Sequence, residues 1–147
     1  MKKSIVTILF TVITAISFAN NHEEGVSNRV LSKFNKEYAT AKTTSWEISR
    51  NFIKVTFMVN EQVLFAYYSP EGEKLAVTRN LLPVQLPLVL STKLKSAYPQ
   101  RWITDLFEIT AGNVTSYYVT MEDADSKITL KSEGTFGWDV FQKKLKD

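Results

Sequence analysis

His22 is the only histidine in the chain, and it sits three residues past a predicted leader-cleavage point. Histidine is the usual general base near neutral pH. A frayed chain end cannot hold the geometry that a Ser-His-acid triad requires. The chain has no cysteine, so thiol nucleophiles, disulfides and thiolate metal sites are removed together. The densest acidic group, Glu122, Asp123 and Asp125, lacks the alternating oxygen ligands, central glycine and terminal glutamate of an EF-hand loop, and reads as a solvated hairpin turn. Glu71 and Glu73 flank a turn in the same way. The five glycines form no phosphate cradle, because Gly134 and Gly137 fall in a strand and turn and not between a strand and a helix. No metal or cofactor is expected, and the chain is expected not to be an enzyme. A hydrolase using only paired carboxylates is the remaining catalytic alternative.

What the chain has in surplus is aromatic rings: three Trp, six Tyr and nine Phe. Most are needed for a core. The alternation Ile53, Val55, Phe57, Val59 predicts one buried strand face, which leaves Phe52, Lys54 and Met58 pointing the other way, with Tyr68 and Tyr118 expected beside them on neighbouring strands. A sheet face of aromatics, Met and single charges suits the binding of a protein or peptide. The same face is open to coverage by the other half of the chain or by a second copy. Alternatively, a pocket lined by Trp46, Trp102 or Trp138 would stack a small ligand or an envelope glycan.

These side chains have to be positioned by helices and strands. Val30, Leu31, Phe34 and Tyr38 recur at helical spacing behind a candidate N-cap, Ser27, and predict a helix ending near Ala41. A leading strand at Trp46 to Ser49, the Ile53 strand, a turn at Asn60-Glu61-Gln62, a strand from Val63 to Ser69, a Ser69-Pro70-Glu71-Gly72 type I turn and a strand from Lys74 to Thr78 follow. Pro87 then opens a second helix carrying Leu90, Leu94 and Ala97, which stops at Tyr98-Pro99. Strands are predicted at Ile103 to Thr110, Val114 to Met121, Ile128 to Lys131 and Phe136 to Phe141. The halves echo one another: Leu31-Ser32-Lys33 parallels Leu90-Ser91-Thr92, and Glu71-Gly72 parallels Glu133-Gly134. The expected fold is therefore α+β, a tandem pseudo-repeat of helix plus four-stranded antiparallel meander, about 26–80 and 84–142, with the helices on one sheet face.

At the N-terminus, Lys2 and Lys3 precede an uncharged apolar stretch, Ser4 to Phe18, and Ser17-Phe18-Ala19 supplies small residues where a signal peptidase reads. Residues 1–19 are expected to be a signal peptide and 20–147 the mature chain, periplasmic or secreted, with no stable membrane insertion after cleavage. The formal charge of the whole chain is +3; without Lys2 and Lys3 there are 16 basic residues against 15 acidic. Such a balance lacks the clustered basic footprint of a nucleic-acid binder. Lys143, Lys144 and Lys146 read as a solvated terminal element. The pattern gives no homo-oligomeric state.

From Phe34 to Pro99 a further pattern is present: the helix aromatic, Trp46, an apolar strand, Ala66-Tyr67-Tyr68, a turn with Gly72, then Arg79, Leu86-Pro87 and Tyr98-Pro99. This resembles the PepSY-like, beta-lactamase-inhibitor-like proteins exported by Bacteroidota. The resemblance implies a periplasmic protein of tandem α/β units and, through the looser PepSY connection, a regulator or inhibitor of an extracytoplasmic peptidase. The beta-lactamase inhibitors carry disulfides in their repeats and this chain has none, nor does it match their contact residues. Inhibition of a beta-lactamase is therefore not implied.

Overall fold

The computed structural model describes residues 25–146. The expected leader, its cleavage after Ala19 and His22 lie outside the described residues. Ten elements and one short 3-10 turn follow in order: α1 Asn28–Glu37, β1 Lys42–Ile48, β2 Ile53–Val59, β3 Gln62–Tyr68, β4 Lys74–Asn80, the turn Pro83–Gln85, α2 Leu88–Ala97, β5 Trp102–Ala111, β6 Val114–Glu122, β7 Ser126–Glu133 and β8 Asp139–Leu145. Ser27 caps α1 by accepting a hydrogen bond from the Val30 N–H at 3.4 Å. Pro87 is the N-cap of α2, with extended ψ, and not its first helical residue. The boundaries of other elements also shift. α1 stops at Glu37, and the Lys42–Ser45 stretch is already strand, where β-branched Thr43 favours extended backbone. β8 begins only at Asp139, because Gly134 and Gly137, both at positive φ, prolong the turn before it.

The eight described strands form one antiparallel sheet in sequential order. This corrects the expected fold class of tandem helix-plus-meander units. β4 and β5 pair directly, from Val77↔Thr110 to Asn80↔Phe107, so the backbone groups at the end of the first meander are satisfied by the start of the second. The described residues are mainly one continuous sheet carrying two short ten-residue helices.

Both helices lie on the same face. Val30 and Phe34 of α1 pack on Trp46, Ile53, Val55, Phe57, Ala66 and Tyr68. Leu90 and Leu94 of α2 pack on Leu106, Val119, Met121, Ile128 and Leu130. On this face, at the β4–β5 junction, Arg79 pairs with Glu108 and donates to Gln62 Oε1 at 3.0 Å. The opposite face carries a third cluster that crosses the same junction without a break: Phe52, Tyr67, Ala76, Phe107, Ile109 and Tyr118.

The β2–β3 connection sets which side chains share a face. It is a two-residue turn, Asn60-Glu61, with both residues at positive φ, 49° and 64°, the conformation that a tight hairpin needs. Asn tolerates it; Glu gains nothing there. Glu61→Gly is expected to raise the unfolding free energy by about 1 kcal/mol, read as a higher urea midpoint with an unchanged slope. An unchanged or lower midpoint would mean that Glu61 makes a compensating contact.

Candidate binding face

Of the five residues expected on the second face, four are placed there. Lys54 lies opposite Tyr67 and Met58 opposite Val63, while Phe52 and Tyr118 belong to the cluster crossing the junction. Tyr68 is the exception. It lies opposite Ile53 and packs into the α1 core, fully buried. The error comes from one residue of turn length. A three-residue turn would have put Val59 opposite Val63 and Tyr68 opposite Lys54; the two-residue turn pairs Val59 with Gln62 and brings Tyr67 to that position, since a slip of one residue flips every side chain to the other face. The tight turn, legible as Asn60 followed by a polar residue, was the signal that could have found Tyr67.

Tyr68 then makes a separate expectation. Burial, with Glu37 nearby, pushes its hydroxyl up to about 12, and that hydroxyl has no hydrogen-bond partner among the described residues. A buried unpaired hydroxyl costs more than it returns. Tyr68→Phe should leave stability unchanged or raise it by about 1 kcal/mol in urea unfolding. A clear loss would mean the hydroxyl is bonded.

The second face is an aromatic band with polar flanks. Phe107 and Tyr118 stack at 5.2 Å with 9° between their planes. Phe52 meets Tyr67 at 5.7 Å, and Tyr118 meets Phe141 edge-on at 5.4 Å. Burial pushes the Tyr67 and Tyr118 hydroxyls up to about 12, so both are neutral at physiological pH. The expectation of an open face at Phe52, Lys54, Met58, Tyr68 and Tyr118 is corrected: all but the half-buried Met58 are buried, as are Tyr67 and Phe107. The accessible part of the face is its margin, where Met58 and Phe65 are half-buried and Val63 and Phe141 are exposed. Lys54 Nζ donates to Glu47 Oε1 at 2.9 Å and stands 5.2 Å from the centre of the Phe65 ring. Further along, the Thr120 and Thr129 hydroxyls are bonded at 3.1 Å. Nearby on β5, burial raises the Asp105 carboxyl above its usual range, against the Leu106 N–H and the charge of Lys127.

The other acids are taken up in ion pairs and turns. Lys146 and Lys127 hold the Glu122 carboxyl below its usual range. Asp123 pairs with Arg101 at 2.5 Å and accepts from the Asp125 and Ser126 N–H groups, which shapes the β6–β7 turn. The three tryptophans are dispersed. Trp46 is in the α1 core, Trp138 packs against α2 and donates to the Leu90 carbonyl at 3.0 Å, and Trp102 is exposed under Lys146. They line no common pocket. A hollow of about 660 Å³ beside Trp138 is bounded by Lys131, Glu133, Phe136, Gly137 and Asp139.

Known structures superpose on this fold. A DUF2874 family protein from Bacteroides uniformis superposes with a TM-score of 0.70 at 12% identity, over 81% of this chain and 88% of that one. A BLIP-like protein from Bacteroides fragilis superposes with a TM-score of 0.68 at 17% identity, over 88% and 89% of the two chains. The fold is BLIP-like. A protein from Bacteroides eggerthii, provisionally described as periplasmic, shares the BLIP-like fold with a TM-score of 0.70 at 10% identity, over 82% of this chain and 88% of that one. No family model and no curated protein sequence matches the chain. At these identities the BLIP-like sheet is what is shared, and side-chain roles are not transferred.

Proposed function

We propose that the chain is an exported, non-enzymatic interaction module of the cell envelope, which takes up another protein or peptide on the sheet face opposite its helices. The observation that carries this reading is the aromatic band on that face, continuous across the β4–β5 junction. Met58, Val63 and Phe65 at one end and Phe141 at the other are the accessible contacts; the stacked and buried rings between them form a rigid floor. Rigid aromatics bury much area at modest entropic cost, and hot spots concentrate where such groups are rimmed by polar ones. The BLIP-like neighbours support the module reading, and the B. eggerthii neighbour together with the leader pattern supports the periplasm. No helix among the described residues is long and apolar enough to cross a membrane. The PepSY-like resemblance narrows the partner to an extracytoplasmic peptidase, which the chain would regulate or inhibit.

The test is affinity capture from the envelope of the native host with the tagged chain, Asn20 to Asp147. One enriched envelope protein, retained by a Lys36→Glu control on α1 and lost by Val63→Asp, would support the reading. Equal capture by both variants, or none by the parent chain, would overturn it.

A further inference from the structure

The segment between β4 and the first turn of α2 exposes four large aliphatic side chains close together in the sequence. Leu82 is 63% exposed, Val84 88%, Leu88 80% and Val89 51%, all within eight positions. Single exposed apolar residues are ordinary; a cluster of four marks a contact surface. The fold itself does not demand them. α1 has the same length as α2, buries the same third and seventh positions, Val30 and Phe34 against Leu90 and Leu94, and ends on the same Tyr cap. Its first two residues are Asn28 and Arg29, where α2 has Leu88 and Val89.

Along the chain, the charged residues of this stretch have one sign, although Glu133 and Asp139 line the hollow beside Phe136. Between Glu73 and Asp105 there is no acidic residue, while Lys74, Arg79, Lys93, Lys95 and Arg101 all occur. Lys74, Arg79 and Arg101 are neutralised by Glu37, Glu108 and Asp123. Among the described residues Lys93 and Lys95 form no ion pair, and Lys93 Nζ donates to the Phe136 carbonyl, at 2.7 Å. That bond ties Phe136, 90% exposed, to the same helix. The two lysines lie five and seven residues beyond Leu88, about 7–10 Å along the helix. An apolar tip with ammonium groups set back by that distance matches the depth of an acyl–headgroup boundary, about 5–10 Å, with the charges at phosphate level.

We propose that Leu82, Val84, Leu88 and Val89, with Lys93 and Lys95 set back from them, form a peripheral contact with an anionic lipid surface. The module would then be held at the bilayer by one end, leaving the aromatic sheet face free for its partner. Binding is reversible, because four aliphatic side chains and two lysines fall well short of a spanning helix.

The test is co-sedimentation of Asn20 to Asp147, which contains every described element, with large vesicles of phosphatidylglycerol and phosphatidylethanolamine or of phosphatidylcholine alone. Binding to the anionic vesicles is expected to weaken about tenfold or more in Val84→Ser/Leu88→Ser and about fivefold for each of Lys93→Gln and Lys95→Gln, with the melting temperature unchanged. The lysine variants should not alter binding to phosphatidylcholine. Absence of binding by the parent chain, or binding indifferent to Val84→Ser/Leu88→Ser, would overturn the proposal. So would a dimer in light scattering that this double variant dissociates, which would give the tip to a second copy.

Discussion

Phe34→Ala is expected to remove about 3–5 kcal/mol of stability, a large share of the roughly 5–15 kcal/mol that holds a domain of this kind folded. Phe34 is the ring by which α1 is fastened to the sheet. It lies 5.3 Å from Tyr38, 5.3 Å from Trp46 and 5.0 Å from Phe57, the last two edge-on, and it is buried. Its removal leaves a cavity bounded by three rings on both sides of the helix–sheet interface, and stiff aromatic neighbours relax poorly into such a void. At about 4 °C per kcal/mol for a domain of this size, the melting temperature should fall by about 12–20 °C. Phe34→Leu, which keeps most of the volume, should cost no more than about 1.5 kcal/mol. Thermal and urea unfolding measure both, and a small loss in Phe34→Ala would mean that α1 is not integral to the folded sheet.

Phe65→Glu should act in the opposite way, with little effect on stability and a large one on partner binding. Phe65 is half-buried at the margin of the aromatic band, opposite Thr56 on one side and Thr78 on the other. It shields the Lys54–Glu47 pair from one side. A carboxylate there stays partly solvated and gains Lys54 as a neighbour, so unfolding should change by about 1 kcal/mol or less. A partner seated on the band would lose an aromatic contact and meet a buried charge. Loss of an aromatic hot-spot contact together with the burial of an uncompensated charge is expected to cost about 2 kcal/mol or more, roughly thirtyfold in affinity. Retention of binding within threefold, in a protein that melts normally, would remove the margin around Phe65 from the interface.

The strands were largely legible because β2 alternates cleanly and the Pro and Gly signals fall where the chain turns. Which residues share a face was less so. Period-two logic correctly separated Phe52, Lys54 and Met58 from Ile53, Val55 and Phe57, and the two-residue Gly112-Asn113 turn brought Tyr118 opposite Phe107. Tyr68 and Tyr67 were exchanged because adjacent identical residues carry no parity of their own, so only the turn length decides between them. The continuity of the sheet was not legible either. Pro87, opening the second helix, read as the start of a second unit, and a direct β4–β5 pairing across an inserted helix depends on long-range backbone partners that no local pattern announces. Burial of the band was missed for a similar reason: alternation assigns a residue to a face, and it does not say how far that face is open.

The central claim is that the partner meets the sheet face opposite the helices. A photo-crosslinking amino acid placed at position 65, and in a separate chain at position 36 on α1, tests it in the intact envelope. One discrete crosslinked product from position 65 and none from position 36 is the expected result. Crosslinking from position 36 alone would put the interface on the helix side and contradict the account.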